Sequence, residues 1–229
     1  MPTPVPQADW HAKKIGAYGR SSTEAFENAI CTYNLLSSLG WTVQAICAVY
    51  GNIEAESGYN PWRWEGDNVA SYYGSKSHGY GFPQFTPATK YIDDPNAQSN
   101  TGYGPNFSNK EGNIFDGDSQ LRYIDEYADY GINPGYNYPI TYQEFKTDTS
   151  LSPEYLAKAW LHNYERPRDQ STSVENYRAS IARHWYDILI EYDPSDPIPP
   201  EPEDNPLTTG NLGNKLKIMF YLKPWYKRL

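Results

Sequence analysis

Cysteine, histidine, positive charge and long apolar runs are all scarce in this chain, and each scarcity closes off a class of function. The 2 cysteines, Cys31 and Cys47, form no C-x-x-C pair, and the 4 histidines form neither an H-E-x-x-H helix nor a tight cluster with acids. No metal site and no cofactor are therefore expected. Both cysteines fall on apolar helix faces, where buried free thiols and a bridge between neighbouring helices both remain open. A Cys/His amidase built on Cys47 lacks its paired histidine motif. No stretch approaches the ~20 apolar residues that span a bilayer. The opening Met1-Pro2-Thr3-Pro4-Val5-Pro6 has neither a basic n-region nor an apolar h-region, so no signal peptide is expected. Lys and Arg number 19 against 28 Asp and Glu, a net charge of −9, which argues against nucleic acid as a partner because phosphates need a basic face.

What the chain has instead is a carboxylate in an unusual setting. Over Val43, Ile46, Val49 and Ile53 the apolar residues recur at helical spacing, and Glu56 follows at the last turn along the edge of that face. Gly58 reads as the left-handed residue ending the helix, with Asn60-Pro61 as the turn beyond it. The C-terminal end of a helix carries partial negative charge and favours cations, so a glutamate there needs a reason. Breaking a glycosidic bond supplies one, since it needs a carboxylic acid still protonated near neutral pH, which apolar surroundings can provide. Glu54, two residues earlier, points to another side and reads as a solvated surface residue.

Some twenty residues on comes Gly79-Tyr80-Gly81-Phe82-Pro83-Gln84-Phe85-Thr86, and later Asn163-Tyr164-Glu165-Arg166-Pro167. Together with Glu56-Ser57-Gly58-Tyr59-Asn60-Pro61, these motifs resemble the phage tail lysozyme family, peptidoglycan-cleaving domains of tail-tip and morphogenesis proteins distantly related to goose-type lysozymes and lytic transglycosylases. The resemblance runs over about residues 20 to 190. It implies a lysozyme-like fold, Glu56 as the catalytic acid, and Tyr80, Gln84 and Phe85 on the strand and turn lining the glycan groove, with Gln84 supporting acetamido groups through amide donors and acceptor. It also implies that Tyr164 and Glu165 close the far wall. Phe85 serves equally as core packing, and Glu165, followed by Arg-Pro, equally as a structural ion-pair partner.

The second carboxylate is less determined. An inverting hydrolase holds a water with a base about 6.5 to 9.5 Å from the acid, and the Trp62-Arg63-Trp64-Glu65-Gly66-Asp67 loop offers Glu65 and Asp67, of which Asp67 is the preferred candidate. Transglycosylase relatives use none and leave 1,6-anhydro ends. A catalytically inert glycan-binding or structural tail component is the alternative of another class. Peptidoglycan and other tail proteins are the implied partners, with the virion tail tip as the location, and riding on a virion would replace an export signal.

Punctuation predicts the organisation. With 229 residues there is enough chain for one good-sized domain. Helices are expected over 22–39, opened by a Ser21-x-x-Glu24 capping box, then over 42–57, 118–130, 142–147, 152–165 with Pro153 at its first position, and 172–191 with a Thr172-x-x-Glu175 box. Residues 60–113, rich in Gly, Pro, Asn and Tyr, should hold a small β/loop subdomain, making an α+β, predominantly helical class. The 22 Tyr and 7 Trp suggest an aromatic surface suited to sugars. Residues 1–20 read as an N-terminal extension and 21–192 as the domain. Residues 193–209 read as a linker, since 193–206 carries five acids and six prolines. Residues 210–229 form a basic aromatic tail that suits docking to a protein or contact with an anionic membrane surface.

Overall fold

A computed structural model of the chain describes residues 10–13, 15–67, 77–99 and 116–192. The expected linker and basic aromatic tail, 193–229, and part of the loop region lie outside these residues. The described residues are predominantly helical, with α1 (Thr23–Ser38), α2 (Val43–Ser57), α3 (Thr89–Ile92), α4 (Pro95–Ser99), α5 (Asp116–Tyr127), α6 (Tyr142–Thr147), α7 (Pro153–Trp160) and α8 (Thr172–Leu189). A π-helical turn, Leu161–Glu165, continues α7.

Local chemistry explains most boundaries. Ser22, not Ser21, caps α1, its side chain accepting the Ala25 N–H. Thr42 caps α2 in the same way, and Gly58 ends it at φ 58°, ψ 46° with its N–H returned to the Ile53 and Glu54 carbonyls. Ser152 caps α7 with Pro153 in the first turn. The Thr172 box does not form: Ser171 occupies the cap position without a side-chain bond, which puts Val174 rather than Glu175 at the third helical position, and Glu175 meets His162, Nε2 to Oε1 2.7 Å. The capping box that does form is Thr141 with Glu144 on α6.

α2 is the hub, with α8, α7, α1 and α6 packed around it. Its residues Ala45 to Ile53 are buried on all sides, as expected for a central helix. The aromatic richness is mainly core rather than surface: Trp64, Trp160, Trp185, Tyr50, Tyr59, Tyr80, Tyr91, Phe82 and Phe145 are among the largest fully buried side chains. Their hydroxyl and indole groups find partners, as buried polar tips must. Trp185 Nε1 donates to the Tyr59 hydroxyl at 2.5 Å, and the Tyr50 hydroxyl donates to the Ala29 carbonyl.

No sheet forms among the described residues; the expected small β subdomain is reduced there to isolated antiparallel bridges, Trp64 with Tyr80 and Tyr80 with Phe85. The segment turns too tightly for a ladder. Gly81 takes φ 81° and Gln84 φ 49°, so Phe85 N–H returns to the Tyr80 carbonyl at 2.9 Å, and Pro83 has no N–H to extend the pairing.

Residues 10–13 and 15–20, expected as an extension, are fastened to the domain. Trp10 is buried and donates to Asp118 Oδ1 at 2.6 Å. Asn60 donates to the carbonyls of Lys13 at 2.7 Å and Gly16 at 2.8 Å, which gives the Asn60-Pro61 turn a structural role.

Candidate active site

Glu56 stands one residue before the end of α2, and its side chain is 22% exposed. The cation that its unfavourable position called for is Arg178 of α8, whose Nη2 donates to Glu56 Oε1 at 2.6 Å. Arg178 is itself only 6% exposed. Its Nη1 donates to Asn52 Oδ1 at 2.9 Å, and Asn52 in turn donates to the carbonyls of Ala48 at 2.9 Å and Ala157 at 3.3 Å. Asn52 thus ties α2 to α7 and aims the guanidinium at Glu56. The Arg178 Nε–H is buried without an acceptor among the described residues.

α8 reaches Glu56 because of Gly51. A Cβ at that position would collide with the Arg178 carbonyl oxygen, so only glycine lets the two helices approach so closely.

Glu56 opens onto a cleft of about 190 Å³ lined also by Arg63, Glu65, Gly66, Gln84 and Thr86. Glu65 accepts the Gly79 N–H at 2.8 Å and lies 3.9 Å from His78, leaving a 56% exposed carboxylate on the cleft. Asp67 is held elsewhere: it accepts the Gly16 N–H at 2.7 Å and faces Arg63 at 3.4 Å. The two acids of that loop therefore separate, one bordering the cleft and one fastening the chain's early residues.

Gln84 is on the cleft, with its amide nitrogen donating to the carbonyls of Arg63 at 3.1 Å and Gly81 at 2.9 Å. Both amide hydrogens are thereby committed to backbone, and only the oxygen is left for a ligand. Tyr80 and Phe85, expected on the groove, are buried at 0% and 7% exposure. Tyr80 packs on Trp64 with ring centroids 4.7 Å apart, and Phe85 stacks on Tyr91 at 4.6 Å. They hold the turn from behind, so that Gln84 and Thr86 face out.

Tyr164 and Glu165 come from the π-helical turn. Tyr164 packs on Trp160, ring centroids 4.3 Å apart. Glu165 accepts the Trp160 indole N–H at 2.9 Å, and its carboxyl is pushed up to about 8 by burial and by the Glu56 charge, against the opposing pull of Arg178 and the indole. Glu56, Arg178 and Glu165 therefore form one electrostatic unit drawn from α2, α8 and the end of α7.

Glu54, expected in solvent, is 12% exposed and engaged on all sides. Arg20 lies 2.9 Å away, and the hydroxyls of Tyr59 at 2.9 Å and Tyr177 at 3.0 Å donate to it. Cys31 and Cys47 are free thiols, and burial drives the Cys47 thiol far above its ordinary range, which leaves it no nucleophile. No group of three or more His, Cys, Asp or Glu among the described residues is arranged to hold a metal ion.

Sequence reasoning missed Asn52 and Arg178. Arg178 shares the buried face of α8 with Ile181, Ala182, Trp185 and Leu189, and a charge on such a stripe signals a buried anion across the interface.

The model of the phage tail lysozyme family matches residues 27–189. Morphogenesis protein 1 of Bacillus phage B103 is 33% identical over 170 residues, which is 74% of this chain but 41% of that relative, so the chain spans less than half the length of the protein it matches.

Proposed function

The chain belongs to the phage tail lysozyme family, and from that premise we propose that it cleaves the glycan strand of bacterial peptidoglycan between N-acetylmuramic acid and N-acetylglucosamine. The observation that carries the reading is Glu56, a half-buried carboxyl at a helix end that opens onto a cleft bordered by a second acid, Glu65, and by Gln84. Glu56 is the general acid that protonates the glycosidic oxygen. Glu65 borders the same cleft, which favours it over Asp67 as the base that draws a proton from the attacking water, as inversion requires. Gln84 Oε1 accepts an acetamido N–H. A phage morphogenesis relative supports a virion setting, in which the enzyme opens the wall beside other tail proteins during entry.

Glu56→Gln tests the assignment by removing the acid while keeping the shape. Purified cell walls should still bind the variant but no longer clear, and unchanged clearing would leave the inert glycan-binding reading. Mass spectrometry of released muropeptides tests the water: reducing ends are expected, whereas 1,6-anhydro ends in most products would mark a transglycosylase.

A further inference from the structure

We propose that Arg63 is the residue by which the cleft distinguishes peptidoglycan from chitin-type glycan, its guanidinium receiving the lactyl carbonyl oxygen that the muramyl sugar carries on its O3. The proposal rests on the reading of the cleft as a glycan site.

The backbone fixes Arg63 between the two walls of that cleft. Its N–H donates to the Asn60 carbonyl at 3.3 Å, in the turn that follows Glu56. Its carbonyl accepts the Gly81 N–H at 2.9 Å and the Gln84 amide at 3.1 Å, in the turn opposite. Among the described residues lining the cleft it is the one cation, set beside Glu56 and Glu65.

The guanidinium has spare capacity. Its ion-pair partner among the described residues is Asp67, and that contact, from Nε to Oδ1, is long at 3.4 Å. The same Oδ1 accepts the Gly16 N–H at 2.7 Å. Four further N–H groups sit on Nη1 and Nη2, and no described residue accepts from them. Neither nitrogen is sealed away, because the one buried side-chain nitrogen without a partner among the described residues is Arg178 Nε. With the side chain 24% exposed, the free end of the fork is open to a planar oxygen acceptor, the group that its paired donors suit.

The substrate supplies that acceptor at the right neighbour. A muramyl ring carries its acetamido group on C2 and its lactyl ether on the adjacent C3. Gln84, whose Oε1 accepts the acetamido N–H, is bonded through Nε2 to the carbonyl of Arg63 itself, so the two side chains are neighbours as the two substituents are. The lactyl carbonyl is an amide where the stem peptide is attached and a carboxylate where it has been removed, and both present an oxygen. N-acetylglucosamine has a hydroxyl on C3, which is shorter and uncharged. Charge points the same way. A cleft holding Glu56 and Glu65, on a chain of net charge −9, would repel an anionic branch without a cation at the contact.

Three disaccharides test this on the full-length protein by NMR titration, none containing the muramyl-to-glucosamine bond that is cut: N-acetylglucosaminyl-N-acetylmuramic acid with a free lactyl carboxylate, the same sugar with its lactyl group capped as an L-alanine amide, and chitobiose. Wild type should bind the lactyl probes at least about tenfold more tightly than chitobiose. Preference for both assigns Arg63 to strands with stems, and preference for the carboxylate alone assigns it to stripped strands. Arg63→Gln should abolish the preference with chitobiose affinity unchanged, which also shows that the variant folds. On purified peptidoglycan it should lower kcat/KM about tenfold, mainly through KM. Arg63→Lys, which keeps the charge without the fork, should retain an intermediate preference, and it serves where Arg63→Gln does not fold. Equal affinity of wild type for all three probes overturns the proposal while leaving the glycan site standing, and so does a preference that survives in folded Arg63→Gln. Binding of none of the three sinks the glycan reading and the proposal with it.

Discussion

Gly51 of α2 lies directly beneath the Arg178 carbonyl of α8, with no room for a side chain between the two backbones. That contact sets the level at which the Arg178 side chain meets Asn52 and Glu56, at 2.9 and 2.6 Å. Alanine favours a helix over glycine by ~1 kcal/mol, but here its methyl must displace α8. Gly51→Ala should therefore be destabilised by roughly 1–3 kcal/mol, the usual cost of overfilling a packed interface, and should lose most wall clearing. Denaturant unfolding and turbidity assays check both. Wild-type stability would mean that the helices can part without cost.

Arg178→Lys should show that the fork matters as well as the charge. A lysine can meet Glu56 or Asn52 but not both at once with the same planar geometry. We expect a stability loss of ~1–2 kcal/mol from the deserted partner and roughly tenfold lower kcat/KM, equivalent to about 1.4 kcal/mol. Retention of full activity would limit Arg178 to a structural ion pair.

Two glutamates two residues apart should separate cleanly. Glu54 accepts bonds from Tyr59 and Tyr177 and pairs with Arg20, so Glu54→Ala deprives the buried Tyr59 hydroxyl of its acceptor at a cost of about 1–3 kcal/mol. Clearing measured well below its melting temperature should stay at the wild-type level. Glu56→Gln should lose clearing even when measured well below its melting temperature, and because it leaves the 6% exposed Arg178 guanidinium without its carboxylate it should also lose stability, by up to about 3–5 kcal/mol.

The helical frame was legible because its signals are local. Gly58, Pro153 and the apolar periodicity of α2 act within a turn of where they stand, and the structure puts the helix ends there. Ser21 and Thr172 failed as caps because a neighbouring serine takes the cap position in each case, Ser22 on α1 and Ser171 on α8. Tyr80 and Phe85 belong to a motif at the site, but the motif does not say which of its members face the cleft; close packing on Trp64 and Tyr91 turned both inward. The partners of Glu56 were out of reach for a related reason. Arg178 is 122 residues away, and only the packing of α8 on α2 makes it a neighbour.

Two partly buried groups shift the pH dependence of stability with opposite signs. His184 is held down to about 4, first by burial and then by the Arg20 charge, against Asp187, so as pH falls below about 6.5 the unfolded chain takes up a proton that the folded one refuses, and stability drops. Glu165 is held up to about 8 against an ordinary 4.5, so between those values the folded chain keeps a proton that the unfolded one has released, and stability drops as pH rises. Each group contributes a slope of at most ~1.4 kcal/mol per pH unit. Their slopes oppose between about 4.5 and 6.5, leaving Glu165 to dominate from there to about 8. Urea unfolding across pH 4 to 9 checks this by difference. Glu165→Gln should gain on wild type steadily from pH 4.5 to 8, and His184→Asn should gain on it only as pH falls below 6.5. A Glu165→Gln difference that is flat with pH would mean that Glu165 folds in without keeping its proton.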